Sequence, residues 1–129
     1  MVDEACSKVD PRETSEVALR AFFNIAKVWA LSDQEQMTIL GLDARPTLKE
    51  WKSGHVPHLP DHALKRISYV LGIFKAINIL HPLPERANAW IRKPNSAPLF
   101  DGGSALDLML GGHVSDLQIV RSYLDAERS

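Results

Sequence analysis

A chain of 129 residues, 45% hydrophobic and with a net charge of −1, is sized for one compact domain or two small helical subdomains sharing a core. Its single cysteine, Cys6, excludes an intramolecular disulfide and a cysteine-based zinc site, which fits a reducing cytosol. The opening "MVDEACSKVDPRETSE" has no apolar signal core, and no run nears the roughly 18 apolar residues of a membrane span, so a cytoplasmic protein without a membrane partner is expected.

In chain order, residues 1–14 carry no apolar period and read as a flexible tail, with Cys6 incidental in it. A first helix is expected from about Ser15 to Ala30, because Ala18, Phe22, Ile25, Ala26 and Trp29 form one apolar stripe. Ser32 with Glu35 makes a capping box that opens the second helix, and Gly41 ends it. A third helix runs from about Ala44 to Lys52 and stops at Gly54. "HVPHLPDH" is a loop, with Pro60 suited to the first turn of the next helix.

The fourth helix, from about Asp61 to Leu80, is the longest. Its broad apolar face is Leu64, Ile67, Val70, Leu71, Ile73, Phe74 and Ile77. Gly72 inside it costs about 1 kcal/mol relative to alanine and permits close approach of a neighbour. A short helix from Pro84 to Ile91 precedes the irregular "RKPNSAPLFDGG". Ser104 caps "ALDLML", which "GG" terminates, and Ser115 caps a last helix bearing Leu117, Ile119, Val120, Tyr123 and Leu124. No strand pattern or internal repeat occurs, so the fold class is all-α.

Charge is uneven along this outline. Residues 36–66 hold five Lys/Arg against three Asp/Glu, whereas the first 35 residues hold four against seven. The basic surplus falls on "SDQEQMTILGLDARPTLKEWKSG", which has the helix, tight turn and helix of a DNA reader. The surplus is small, so a monomer should bind weakly and need a second copy. The second helix of this pair offers Arg45, Thr47, Lys49 and Lys52 to operator DNA. Arginine can read guanine with two hydrogen bonds, threonine can meet a phosphate or a thymine methyl, and the lysines suit phosphates. Leu40, Leu42 and Leu48 should lock the pair from inside, with Trp51 seating it on the core. Pro46 removes one amide, and Glu50 adds a negative charge. A helical hairpin acting only as scaffold fits the same pattern.

Other constellations carry less. His55, His58 and His62 are spaced H-x2-H-x3-H but lie in or beside a proline loop without cysteines, and read as surface histidines. "DGGS" and "LGGH" are too short for a phosphate loop, and no nucleophile-elbow pattern occurs, so neither enzyme activity nor a metal or cofactor is expected. The stretch "ANAWIRKPNSAPLFDGGSALDLMLGG" combines Trp90, a proline loop and an exposed-looking Leu99–Phe100 pair. These residues either complete the core or form a protein-binding surface.

That stretch, continued through "DLQIVRSYLDAER", closely resembles the C-terminal domain of the Xre/MbcA/ParS antitoxin family. Trp90, Pro94, Asn95, Gly103, Leu106, Leu108 and Gly111 sit at the family's matching positions. "LSDQEQMTILGLDARPTLKEWKSG" and "LKRISYVLGIFKAINILHP" resemble its Xre-type reader and linking helix, so the likeness extends from about Val17 to Arg128. It implies an Xre-like helix-turn-helix and dimerisation bundle over 15–82, joined by a long helix to a small helical toxin-binding domain over 83–129. The implied function is a type II antitoxin that covers the active-site cleft of a RES-domain, NAD-degrading toxin. As part of a homodimer within a larger toxin–antitoxin complex, it would repress the shared promoter.

Carried over, the toxin-facing residues are Trp90, Arg92, Pro94, Asn95, Leu99, Phe100, Arg121, Tyr123 and Asp125. The DNA-facing ones are Arg45, Thr47, Lys49 and Lys52. Many relatives extend beyond the last helix with a tail that plugs the toxin. Here the chain stops at Ser129, so coverage by the helices themselves is expected. Relatives also often carry a basic residue at the position of Pro46 and another near Glu50. A stand-alone helix-turn-helix regulator without a toxin is the alternative reading.

Overall fold

The computed structural model describes residues 11–54 and 59–128, so Cys6, His55 and His58 lie outside the described residues, as does most of the expected tail. The described residues form α1 (Pro11–Val28), α2 (Asp33–Leu40), α3 (Arg45–Lys52), α4 (Asp61–Leu80), α5 (Pro84–Trp90), a 3-10 turn (Pro98–Phe100), α6 (Ala105–Met109) and α7 (Val114–Arg128). Only an isolated bridge between Pro94 and Ser104 interrupts this all-helical content.

Helix α1 is described from Pro11, so helix already runs ahead of the start expected at Ser15. It also ends early, at Val28. Ala30 turns left-handed (φ 55°), its amide donates to Lys27, and the Leu31 amide donates to Ala26 at 2.8 Å. That pair of bonds is a Schellman stop built without glycine. Helix α2 has the expected box: Glu35 N donates to Ser32 Oγ at 3.1 Å, and Ser32 N donates to Glu35 Oε1 at 2.8 Å. Gly41 closes it at φ 76°.

Helix α4 is the spine. It packs against α1, α2, α5 and, most extensively, α7. Arg66 near its start reaches Gly112, Gly72 lies under Arg121, and Leu80 shares a groove with Leu124. Those three contacts advance together along both helices, so α7 runs parallel to α4. A 20-residue helix is about 30 Å long, and the chain must travel back that distance before α7 can start. Helix α5, the 3-10 turn and α6 make the return.

The buried residues form one cluster that joins Phe22, Trp29, Leu48 and Ile67 to Ile91, Met109 and Leu117. From α7, Leu117, Val120 and Leu124 are buried, each burial stabilising by about 1.5–3 kcal/mol. Ile119, on the far side, stays exposed. The close approach expected at Gly72 is made by the Arg121 guanidinium, into which a Cβ would run. Ser115 does not cap α7. Asp116 accepts from the His113 amide at 3.2 Å, which puts the cap at His113 and Ser115 inside the first turn.

Two arginines tie the first two helices to the rest. Arg66 donates to Thr38 O and Ile39 O at the end of α2 and to Gly112 O ahead of α7. Arg92 donates to Trp29 O at 3.3 Å and Ala30 O at 2.8 Å, beyond the end of α1, and to Glu35 Oε1 at 3.2 Å. Both guanidiniums sit where helix carbonyls lack partners and where the helix dipole favours a cation.

Two candidate binding surfaces

The first surface is built on α3. Leu48 is buried and Trp51 half-buried against the core, which fixes the roll of the helix. Arg45, Lys49 and Lys52 recur at helical spacing and stand exposed on one side. Thr47 falls on the opposite side and is half-buried, so the structure separates it from the three cations. Glu50 also lies off the cationic stripe, by its position in the helical period.

Asp33, the first residue of α2, faces this stripe. Lys52 Nζ donates to its Oδ1 at 2.9 Å, and Arg45 Nη1 lies 3.5 Å from its Oδ2. The hydrogen bond and charge of Lys52, aided by Arg45 and Lys49, hold the Asp33 carboxyl below the usual carboxylate range despite some desolvation. Lys49 makes no salt bridge among the described residues. These side chains line a hollow of about 550 Å³ with Pro46 and Leu48.

The second surface is aromatic. Trp90 at the end of α5 meets Phe100 edge-on, with centroids 6.2 Å apart, and Phe100 meets Tyr123 of α7 edge-on at 5.1 Å. The His81 ring lies 6.4 Å from Trp90. Leu80, His81, Trp90, Tyr123, Leu124 and Glu127 line a groove of about 250 Å³. Burial, and the Glu127 carboxylate beside it, push the Tyr123 phenol above its usual range, with Asn95 opposing. The phenol is therefore protonated at neutral pH and donates to Glu127 Oε1 at 3.4 Å.

The loop behind this groove is held by its own backbone. The Asn95 amide donates to Gly103 O at 2.8 Å, and Asn95 Oδ1 accepts from the Ala97 amide at 2.9 Å. Ser104 and Asp107 form a second capping box that starts α6.

The nine residues expected to face a toxin do not share one surface. Trp90, Asn95 and Tyr123 come together, with exposed Leu99 next along the chain to Phe100. Phe100 is not exposed: it is 94% buried and forms the floor between the two flanking rings, because only a central ring can contact both. Pro94 bridges Ser104 in the loop. Arg92 turns away to α1 and α2. Arg121 and Asp125 pair at 3.6 Å on the flank of α7 opposite Tyr123, where Arg121 lines a hollow with α1 and α4. His81, Glu127 and Asp33 went unnoticed in the sequence. The partners of His81 and Asp33 lie 9 or more positions away, and Glu127 pairs with Tyr123 four positions earlier on the same helix, on a flank whose burial only the packing of α7 decides. Of the three loop histidines only His62 is described, exposed on α4.

Comparison with known proteins matches both halves. Residues 76–129 match the model of the antitoxin Xre/MbcA/ParS C-terminal toxin-binding domain, and residues 9–72 that of the antitoxin Xre-like helix-turn-helix domain. The two matches meet inside α4. The chain is also 48% identical over 110 residues to the uncharacterized protein y4oB of Sinorhizobium fredii, covering 85% of this chain and 83% of that protein.

Proposed function

The chain belongs to the Xre/MbcA/ParS antitoxin family, with a helix-turn-helix domain and a toxin-binding domain, and from that premise we propose which toxin it neutralises and how. The partner is a RES-domain enzyme that degrades NAD in the cytoplasm, and the antitoxin blocks it by covering the active-site cleft. It acts by binding, without turnover of its own. The observation that carries this reading is the aromatic groove, which lies wholly within the matched toxin-binding segment, its α4 wall at Leu80 included.

Trp90 and Tyr123 are half-buried and Leu99 is exposed, so apolar surface is presented on a floor formed by Phe100. Aromatic anchors of this kind dominate interfaces, and a stable one covers about 800 Å² per partner. Trp90, Asn95, Leu99 and Tyr123 are the toxin contacts. Arg92, Arg121 and Asp125 support the fold. The α3 cations bind the operator of the shared operon, and a homodimer sets two copies of α3 on half-sites about one DNA turn apart.

The test is co-expression with a RES-domain toxin, with cellular NAD as the readout. Wild type should preserve NAD. Trp90→Ala should weaken the purified complex by at least about 2 kcal/mol, roughly thirtyfold in Kd. Point changes are preferable to truncation, because removing α7 would uncover α4. A folded Trp90→Ala protein that binds the toxin as tightly as wild type would remove the groove from the interface.

A further inference from the structure

Asp33 stands out among the residues that the antitoxin reading leaves unused. It sits in the first turn of α2, where an acid is ordinarily explained by the helix dipole alone. Here the same carboxylate also engages the first and the last cation of the α3 stripe, Arg45 at 3.5 Å and Lys52 at 2.9 Å, from 12 and 19 positions away in sequence. All three side chains remain about half exposed, at 50%, 59% and 40% for Asp33, Arg45 and Lys52, so the cluster faces solvent on the side that would meet DNA.

We propose that Asp33 is a specificity-determining residue of the DNA-reading face, an internal counter-ion that restrains Arg45 and Lys52. This rests on the reading of α3 as the DNA helix. Affinity for any duplex grows with the number of cations free to displace condensed counter-ions from phosphates. A carboxylate between two of three cations lowers that number, and so weakens binding to all sequences. Reading a base edge needs an arginine held in one orientation. Asp33 occupies one end of the Arg45 guanidinium and leaves its other donors for a base. The same carboxylate repels phosphates when the helix docks out of register. The exchange is therefore lower general affinity for a larger gap between operator and random DNA. It also gives the modest basic surplus of residues 36–66 a role, since three acids there are outnumbered while Asp33, just outside, acts on the same face.

The experiment compares full-length wild type, Asp33→Asn and Asp33→Glu. Each is titrated against the duplex upstream of the chain's own gene and against a random duplex, over a salt series, with elution from heparin as a DNA-independent check and circular dichroism as the fold control. Asp33→Asn should bind random duplex more tightly and elute from heparin at higher salt. The slope of log K against log salt should steepen by about 0.9 for each cation released. The ratio of own-promoter to random affinity should fall, and Asp33→Glu should restore it in part. An unchanged slope and ratio in a folded Asp33→Asn protein would overturn the inference while leaving the DNA reading intact. Wild type that binds neither duplex at low salt would overturn the DNA reading and this inference with it.

Discussion

Replacing Arg92 by alanine separates a toxin contact from an internal clamp. The guanidinium donates to two backbone carbonyls beyond α1 and to Glu35, which itself closes the capping box of α2. A hydrogen bond from a charged donor contributes about 1.5–3 kcal/mol when well buried. The Arg92 side chain is 44% exposed, and water will satisfy the abandoned carbonyls in part, so the three contacts together should contribute only about 1–2 kcal/mol. For a chain of 129 residues that is a fall in Tm of about 3–8 °C.

Arg92→Lys should fall between, since one ammonium can reach a carbonyl or Glu35 but cannot span all three. Thermal and urea unfolding give the stability, and titration with the purified toxin, well below the melting range, gives the affinity. The expected result is lost stability with toxin affinity unchanged. A variant as stable as wild type that no longer binds the toxin would refute the clamp and return Arg92 to the interface.

Two further outcomes follow from the same structure. Phe100→Ala should cost about 3–5 kcal/mol in urea unfolding, because its ring is the buried floor between Trp90 and Tyr123. Its exposed neighbour Leu99→Ala should leave stability almost unchanged and weaken toxin binding in the same titration. The second outcome concerns pH. Burial works to raise the Glu35 pKa, but the Ser32 amide and hydroxyl and the Arg92 guanidinium outweigh it, and the folded carboxyl lies below its ordinary value. A depressed carboxyl gives stability that is complete above the unfolded pKa of about 4.3 and is lost as pH falls through the folded value. The stability gap between wild type and Arg92→Ala should therefore be narrower at about pH 3 than at about pH 7. An equal gap at both would mean that the Glu35 pair contributes nothing.

Local chemistry made much of the fold legible. The Ser32–Glu35 and Ser104–Asp107 boxes, the left-handed Gly41 and the long apolar face of α4 are each decided by a few neighbouring residues, so reading them needs no knowledge of the remaining chain. Two of the helix ends that differed lack a standard signal. Ala30 adopts a conformation that glycine usually takes, and α7 is started by a backbone contact from His113 rather than by a serine. The cationic stripe was legible for the same reason as the boxes, since 45, 49 and 52 recur with the helical period.

Side-chain roll and long-range partners were not legible. Phe100 and Leu99 are adjacent apolar residues on an irregular loop, and only the placement of α7 decides that one is floor and the other is surface. Arg92 stands two residues from Trp90 yet serves α1 and α2, because the end of α1 presents carbonyls within its reach. Arg121 and Tyr123 part to opposite flanks because α7 buries the stripe between them. Sequence alone determined what repeats every few residues, an all-helical chain and a helix-turn-helix with a basic face, while the antitoxin character of the C-terminal segment came from its resemblance to a family. Which side chains are offered to a partner and which are used to hold the molecule together was decided only in three dimensions. A contact across many residues depends on where the parallel packing of α4 and α7 brings the chain back, and no local rule encodes that.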